Sequence, residues 1–363
     1  MSGTAGGGLS RGAALTLPGR APGTLPFVLE VAAFCVLWRQ AQGALGGGDG
    51  PAVLAAGAFF AIVLPLAIRA VAGDPGGAAT GTPPGGRTLS GRLEGLGLGA
   101  PRGTGRDPLV MLWVAACLIA VALGSVLLAS VTAPEGLVAV VDILGRGRSG
   151  GPPAVGALGG RLPGIETLAG AFGVVLVWHG YVQSLGMRRF GPAGDCAVWV
   201  VSGALPALGG YLLGLEAAPA LVWALAGLAP GPLLQAYYRD CQSVFQVVLV
   251  RAAIDAAVLP LATGFLDRDP AAAAIPCAVA LAVALLALAI LSGRRRGAVG
   301  TLVRAAGRAL GEGAALGLPL GAGLLAAWVA SLLLQGRAIA LTAAAAALLW
   351  CRFSAGPSPG RPD

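Results

Sequence analysis

The 363-residue sequence contains neither lysine nor asparagine, and charged residues make up only 11% of it. Soluble domains carry about 25% charged residues, because their surfaces face water. Here 24 arginines and 16 acidic residues accompany a chain that is 56% hydrophobic. This composition excludes an ordinary soluble protein and predicts a single body embedded in the lipid bilayer.

Other residues that are absent or rare exclude several kinds of modification and binding site. Without asparagine the chain has no N-x-[ST] acceptor, so we expect no N-linked glycan. One histidine and six dispersed cysteines argue against a zinc site and against a disulfide framework. The net charge of +8 lies in short arginine clusters between apolar runs, with no aromatic and basic platform for nucleic acid. We therefore expect no cofactor, no metal, no nucleic-acid partner and no enzymatic activity.

Two short motifs match patterns of nucleotide-binding or catalytic sites, but the residues around each motif argue against such a site. Residues 145–150 match G-x-G-x-x-G, but glycine is so common here that chance produces such matches, and the Gly-Pro-Pro that follows cannot open a helix. Ser149 resembles the serine of rhomboid intramembrane proteases, with His179 as a base, yet it sits in a Gly/Pro loop. Metalloprotease motifs are missing as well.

Apolar runs dominate the rest of the chain. A membrane-spanning helix needs about 20 apolar residues to cross a ~30 Å hydrocarbon core. Ten runs approach this length: 25–45, 51–72, 108–133, 164–186, 195–215, 217–237, 243–266, 270–292, 313–335 and 338–353. The sequence thus predicts an all-α, polytopic transmembrane helix bundle of about ten spans over residues 25–353.

The segments outside these spans are rich in glycine, proline and arginine. We expect a flexible cytoplasmic N-terminal tail at 1–24 and a short C-terminal tail at 354–363. A Gly/Pro/Arg loop is predicted at 73–107, an outer loop at 134–163 and a basic cytoplasmic loop at 293–312. Within the outer loop, the apolar stretch 135–144 is too short to cross and is expected to lie on the surface or to re-enter.

The arginines define an orientation. If ten spans start from a cytoplasmic N-terminus, Arg251 lies inside a span and 17 of the 24 arginines fall on the cytoplasmic side. This asymmetry is the one that the positive-inside rule requires, so both termini are predicted to face the cytoplasm. The six arginines on the opposite side are Arg39, Arg146, Arg148, Arg161, Arg268 and Arg337.

Ionisable residues within spans are the candidate functional residues, because charge inside a membrane is expensive and is retained for a reason. Arg251 and Asp255 are four residues apart on one predicted helix face and form a candidate intramembrane polar pair. They would either neutralise each other and fix packing or contact a polar substrate. Glu30, Glu166 and His179 are weaker candidates, and His179 is expected near the cytoplasmic end of its span as an interfacial residue or a proton relay.

Small residues predict where helices pack. Gly313, Gly317 and Gly321 recur every four residues and so share one helix face, which allows close backbone approach in a bilayer. Glycine is frequent enough to produce such a pattern by chance, so a true contact and an accident are both open. The tyrosines Tyr237 and Tyr238, at a predicted span end, are expected in the interfacial belt.

The ten-span, arginine-only and asparagine-free bundle, with its Gly/Ala/Pro-rich body and short Arg-Pro tail, resembles the multispanning envelope membrane protein of alphaherpesviruses that is encoded beside glycoprotein C. The resemblance covers the whole chain in length, span number and loop character. It implies a non-enzymatic protein of the virion envelope and host cell membranes that modulates glycoprotein-mediated fusion, with the lipid bilayer and viral glycoproteins as partners through transmembrane helices.

A small-molecule permease of a GC-rich organism, located in the plasma membrane, is the alternative. The viral family has been likened to equilibrative nucleoside transporters, whose signature helix carries Asp followed four residues later by Arg. Here the order is reversed, as Arg251 then Asp255, and the accompanying asparagine is missing. Secondary transporters usually contain an internal repeat, and this sequence shows only a vague echo between 69–107 and 293–312.

Overall fold

A computed structural model describes residues 24–44, 50–59, 63, 96–132, 165–212, 228, 231–267, 270–333 and 342–346. Most of these residues are helical, and none of them lies in a β-strand. The all-α fold is therefore confirmed for the described part of the chain. The predicted tails, the outer loop 134–163 and most of the second, sixth and tenth spans lie outside it.

The described helices fall into three groups along the chain. The first group is α1 (Thr24–Ala44), α2 (Gly50–Ala58) and α3 (Pro108–Thr132). One continuous helical rod then comprises α4 (Ile165–Val175), a π-helical segment (Leu176–Gln183) and α5 (Ser184–Phe190). The last group is α6 (Pro192–Leu212), α7 (Gly231–Cys241), α8 (Val244–Asp267), α9 (Pro270–Arg294) and α10 (Arg296–Leu333).

Three described helical segments are long and apolar enough to cross a bilayer: Pro108–Val131, Ala272–Arg294 and Arg296–Ala326. By length and composition, the chain is therefore compatible with an integral membrane protein. The number of ten spans and the positions of the termini stay predictions.

The core forms where the helices cross. Helix α6 lies along α10, and α3 packs on both α8 and α9, while α4 packs on α2. Large side chains such as Phe27, Phe34, Leu176 and Leu302 are fully buried at the centre of this packing. A second, smaller apolar cluster joins α3 to α9. The resulting interior is continuous across most of the described helices.

The segment 293–312, predicted to be a basic loop, is helical. Helix α9 ends at Arg294 and α10 begins at Arg296, while backbone hydrogen bonds from Arg295 to Leu291 and from Val299 to Arg295 continue across the junction. Leu302 and Ala306 are four residues apart and both buried, so the segment is an amphipathic helix. The prediction of a loop was wrong, because arginine density hid this apolar periodicity.

Glycines bring α6 and α10 into backbone contact. A Cβ atom added to Gly317 would lie 2.5 Å from the Cys196 Cβ atom and 2.7 Å from the Ala193 carbonyl oxygen. One added to Gly321 would lie 2.9 Å from the Val200 Cβ atom, and one on Gly313 would collide with the Pro192 carbonyl. The glycine face is therefore covered by α6 of the same chain and is not open to the helix of a partner protein.

Candidate functional site: a buried polar cluster

Polar side chains from three elements meet inside the bundle. We define the buried polar cluster as His179 and Gln183 of the π-helical segment, Asp195 of α6, and Gln235 and Arg239 of α7. All except Arg239 are buried, with Gln183 completely shielded. Buried polar groups need partners, because an unsatisfied one destabilises the fold. The cluster therefore has to be internally complementary.

Gln183 is the centre of the cluster. Its Nε2 donates to Asp195 Oδ1 at 2.9 Å and to the Gln235 carbonyl oxygen at 3.1 Å. Its Oε1 lies 2.7 Å from His179 Nδ1. Because the amide nitrogen already donates to two acceptors, the amide oxygen accepts, and His179 Nδ1 carries the proton. One side chain thus ties the π-helical segment to α6 and α7.

Asp195 and Arg239 form a salt bridge at the edge of the cluster. Arg239 Nη1 lies 2.9 Å from Asp195 Oδ2, and Nη2 donates to the Ala305 carbonyl oxygen at 3.1 Å. The Asp195 side chain is 3% exposed and that of Arg239 is 28% exposed. Through this pair α6 and α7 are joined to α10, and the arginine alone retains access to the surface.

Glu30 has a separate partner. Its side chain is fully buried, and Oε1 accepts a hydrogen bond of 3.0 Å from the Tyr181 hydroxyl. The Tyr181 ring stacks on Phe34, with ring centroids 4.4 Å apart. These contacts join α1 to the π-helical segment. The buried Glu30 carboxylate in the first predicted span therefore has a hydrogen-bond partner.

The π-helical segment directs these side chains. All eight of its residues are buried, and Tyr181 contacts α1 while His179 and Gln183 belong to the polar cluster. The wider π turn changes the angular spacing of side chains, and π segments often occur at functional sites. The local sequence does not predict the π-helical segment, because residues 176–183 have the pattern of an ordinary apolar helix.

The predicted ionisable residues fall in different places. His179 is buried within the bundle, where it contacts Gln183, and its position near the cytoplasmic end of a span stays a prediction. Arg251 is exposed on α8, and the side chains of Asp255 and Glu166 lie outside the described residues. The Arg251–Asp255 pair therefore stays a prediction.

The two tyrosines were misplaced by the sequence pattern. Tyr237 and Tyr238 are completely buried rather than located in an interfacial belt. The Tyr237 hydroxyl donates to Gln246 Oε1 at 3.0 Å, and the Tyr238 hydroxyl lies 3.2 Å from Ser184 Oγ. Their hydroxyl groups find partners inside the bundle, which removes the need for an aqueous interface.

One end of the bundle is closed by a set of contacts that we name the end clasp. Asp240 accepts hydrogen bonds from the backbone N–H and the hydroxyl of Thr104, at 2.7 and 2.5 Å. Asp107 forms a 2.7 Å salt bridge with Arg295. Residues 96–107, the end of α7 and the α9–α10 junction are thus brought together, and the arginine distribution predicts all three on the cytoplasmic side.

Cys241 is buried in the end clasp. Its carbonyl oxygen accepts a hydrogen bond of 2.8 Å from the Arg102 backbone N–H. Burial raises the pKa of the Cys241 thiol to about 11, so the thiol is protonated at neutral pH. A protonated, enclosed thiol is a packing group rather than a nucleophile.

The side chains of the buried polar cluster determine what it can bind. Among the described residues no group of three or more His, Cys, Asp or Glu side chains is placed to hold a metal ion. Most of the polar atoms bind one another, while Gln235 Oε1 is buried without a hydrogen-bond partner within the described part. The arrangement is suited to joining helices and leaves one acceptor for a further group.

Comparison with known proteins supplies no family for this chain. No protein-family model matches it, and neither curated proteins nor solved structures give a match. Its helical fold and membrane character stand on the composition and on the helices described above. The viral family stays a prediction based on the resemblance.

Proposed function

We propose that this chain is a non-enzymatic multi-pass protein of a viral envelope, which modulates glycoprotein-mediated membrane fusion or organises the virion membrane. It would reside in the virion envelope and in host cell membranes, with the bilayer and envelope glycoproteins as partners. The whole-chain resemblance supports the viral assignment. The observation that carries the membrane role is the exposed apolar surface of α9.

Helix α9 presents a continuous apolar stripe. Only 11% of its membrane-length window is buried inside the bundle. The stripe residues recur every three or four positions and are each 50–66% exposed. An exposed apolar strip of this length is unfavourable in water but is solvated by acyl chains in a bilayer. Its members are Ile275, Val279, Val283, Leu286 and Ile290.

The interior of the bundle supports a structural rather than a catalytic role. Gln183 uses both amide atoms on neighbouring groups, and Asp195 is held by Gln183 and Arg239. Side chains engaged in this way hold helices together instead of activating a substrate. A protein of this kind affects fusion by occupying the membrane beside the glycoproteins.

A cell–cell fusion assay tests the proposal. Viral fusion glycoproteins are expressed with and without this protein, at matched surface levels, and content mixing is measured. We expect the protein to change the fusion rate. The test variant, Val279→Arg with Leu286→Arg, places two charges on the apolar stripe of α9. We expect it to lose both its retention in the membrane after alkaline extraction and its effect on fusion.

The outcomes separate the parts of the proposal. Retention of the wild-type protein in the membrane after alkaline extraction is required for any membrane role, so its release would overturn the assignment. If the protein is retained but fusion is identical with and without it, the fusion role is wrong. Co-purification of the glycoproteins would then be the remaining test of membrane organisation.

A small-molecule, nucleoside-like permease is the second candidate. The observation in its favour is the buried acceptor Gln235 Oε1 beside His179, because polar groups inside a bundle are the usual contacts of a transported solute. Uptake of radiolabelled uridine by proteoliposomes tests it. Saturable uptake that Gln235→Leu abolishes, with helix content unchanged, would favour the permease over the envelope protein.

A further inference from the structure

The junction of α9 and α10 carries an exposed arginine face, which we define as Arg294, Arg296, Arg304 and Arg308. All four residues are exposed. The last three are spaced by multiples of four and share one side of α10. A Cβ atom on Gly297, Gly300, Gly307 or Gly311 would meet no atom within 4 Å, so the surrounding surface is open.

Among the residues that the structure describes, none forms a salt bridge with these four arginines. Asp107 pairs with Arg295, and Asp240 is engaged by Thr104. Within residues 294–312 the single acidic residue is Glu312, against five arginines. Arg304 binds the Gly300 carbonyl through Nε alone, which leaves its terminal nitrogens for an external acceptor. The arginine face is therefore a cationic surface suited to an anionic partner.

The exposed side of α10 changes character at Gly313. Before this residue it presents the charged Arg304, Arg308 and Glu312 beside a single large apolar side chain, Val303. After it the exposed large side chains are Leu316 and Leu318, which are 45% and 47% exposed. Residues 313–333 have a length of about 30 Å as a helix, which equals the thickness of the hydrocarbon core. The apolar stripe of α9 ends likewise at Ile290, one turn before Arg294. Along α9, Arg294 lies about 6 Å beyond Ile290, and along α10, Arg304 and Arg308 lie within about 14 Å of Gly313. These three arginines are therefore next to the ends of the apolar parts of the two helices.

We propose that the arginine face binds anionic phospholipid headgroups of the leaflet next to the α9–α10 junction. Guanidinium groups bind phosphate and carboxylate through paired hydrogen bonds, and arginine clusters beside membrane-spanning helices attract anionic lipid. The inference rests on the membrane location in the proposed function but is independent of any role in fusion.

Lipid binding is measured on the full chain in an uncharged detergent. Phosphatidylserine and phosphatidylcholine with identical acyl chains are titrated separately, and bound lipid is counted by native mass spectrometry. The test variant is Arg294→Gln/Arg296→Gln/Arg304→Gln/Arg308→Gln. The control variant, Arg146→Gln/Arg161→Gln/Arg268→Gln/Arg337→Gln, loses the same charge from the predicted opposite side.

We expect wild type and control variant to prefer phosphatidylserine, and the test variant to lose affinity by at least about tenfold, since each basic residue near an anionic surface contributes roughly fivefold. Added salt should weaken the binding. Equal phosphatidylserine binding by the test and control variants overturns the proposal, as does equal binding of the two lipids by wild type. Displacement by inorganic phosphate at the same concentration would also overturn it in favour of a free-phosphate site.

Folding is checked in the same samples by circular dichroism and thermal unfolding. If the four-residue variant unfolds, Arg304→Gln/Arg308→Gln is used, because both side chains are exposed and glutamine is a good helix former. The charge-conserving Arg304→Lys/Arg308→Lys variant should keep most of the lipid preference. Absence of a lipid preference in the wild-type protein, together with a measurable effect on fusion, contradicts this proposal alone, whereas lipid binding without any fusion effect contradicts only the fusion role.

Discussion

At the residue scale, Gln183 joins more elements than any charged group that the sequence pattern singled out. Its amide connects His179, Asp195 and the Gln235 carbonyl oxygen. His179 is four residues away on the same helical rod, but Asp195 and Gln235 belong to other helices, so no local spacing relates Gln183 to them. The pair Arg251 and Asp255 drew attention because i,i+4 spacing is visible in sequence, while contacts between distant helices are not.

Replacing Gln183 with leucine should destabilise the bundle by about 1–3 kcal/mol, because it leaves His179 and one Asp195 oxygen buried without their partner. Thermal unfolding in detergent measures the change. Thr301→Val is the matched control, since that exposed hydroxyl binds only the Gly297 carbonyl of its own helix. Equal unfolding midpoints for the two variants would contradict a structural role of the cluster.

The Asp195–Arg239 salt bridge should respond asymmetrically to mutation. Arg239→Met leaves a buried carboxylate unpaired and should cost about 3–5 kcal/mol. Asp195→Leu leaves an arginine that retains access to the surface and should cost less, and the double variant should be milder than Arg239→Met alone. Thermal unfolding of the three variants measures the order. Equal losses for both single variants would show that the two charges are equally shielded.

Cys241 should resist alkylation in the folded protein. Its raised pKa, about 11, keeps the thiol protonated at pH 7.5, and burial blocks reagents. The thiolate fraction rises with pH toward that value, so residual labelling should increase about tenfold per pH unit. Peptide mass mapping after maleimide treatment measures it, with denatured protein as the fully labelled control. Rapid labelling of the native protein at neutral pH would contradict the closed end clasp.

At the element scale, the packing of α6 on α10 involves the helix face that the glycine spacing indicated. The four-residue repeat indicated the face that packs, and the structure identifies its neighbour as α6. The length of α10 was underestimated because its first part is rich in arginine. The π-helical segment could not be predicted, since it depends on the packing of Tyr181 and Gln183 against separate helices.

Gly317→Ala and Gly307→Ala should have opposite effects. The added methyl group at Gly317 would lie 2.5 Å from the Cys196 Cβ atom, so the helices must separate and stability falls. At Gly307 the same methyl group meets nothing within 4 Å, so alanine should stabilise the helix by about 0.5–1 kcal/mol. Thermal unfolding of both variants checks this. A stabilising Gly317→Ala would show that α6 and α10 are not in backbone contact.

At the scale of the whole molecule, composition predicted the helical membrane class, because few charges and long apolar runs permit little else. It could not predict which helices cross or which contacts close the bundle. The end clasp depends on Thr104 meeting Asp240 and on Asp107 meeting Arg295, and these encounters arise only in three dimensions.

The arginine distribution predicts the orientation of the molecule. Thr301→Cys, on the exposed side of α10, should be protected from a membrane-impermeant maleimide added to intact cells, because 293–312 is predicted to be cytoplasmic. Arg268→Cys, on the opposite side, should be labelled. Both are introduced into a chain whose native cysteines are replaced by alanine, and permeabilised cells provide the maximum signal. External labelling of Thr301→Cys would reverse the predicted orientation.

The end clasp also constrains the order in which the chain assembles during synthesis. Thr104 and Asp240 are 136 residues apart, and the Trp113 indole N–H donates to the Ser292 hydroxyl across 179 residues. When α3 leaves the ribosome, none of these partners has been translated. The start of α3 therefore completes its native contacts only after α9 has been made. A chain truncated before Ser292 lacks the Trp113–Ser292 and Asp107–Arg295 contacts and forms an incomplete bundle.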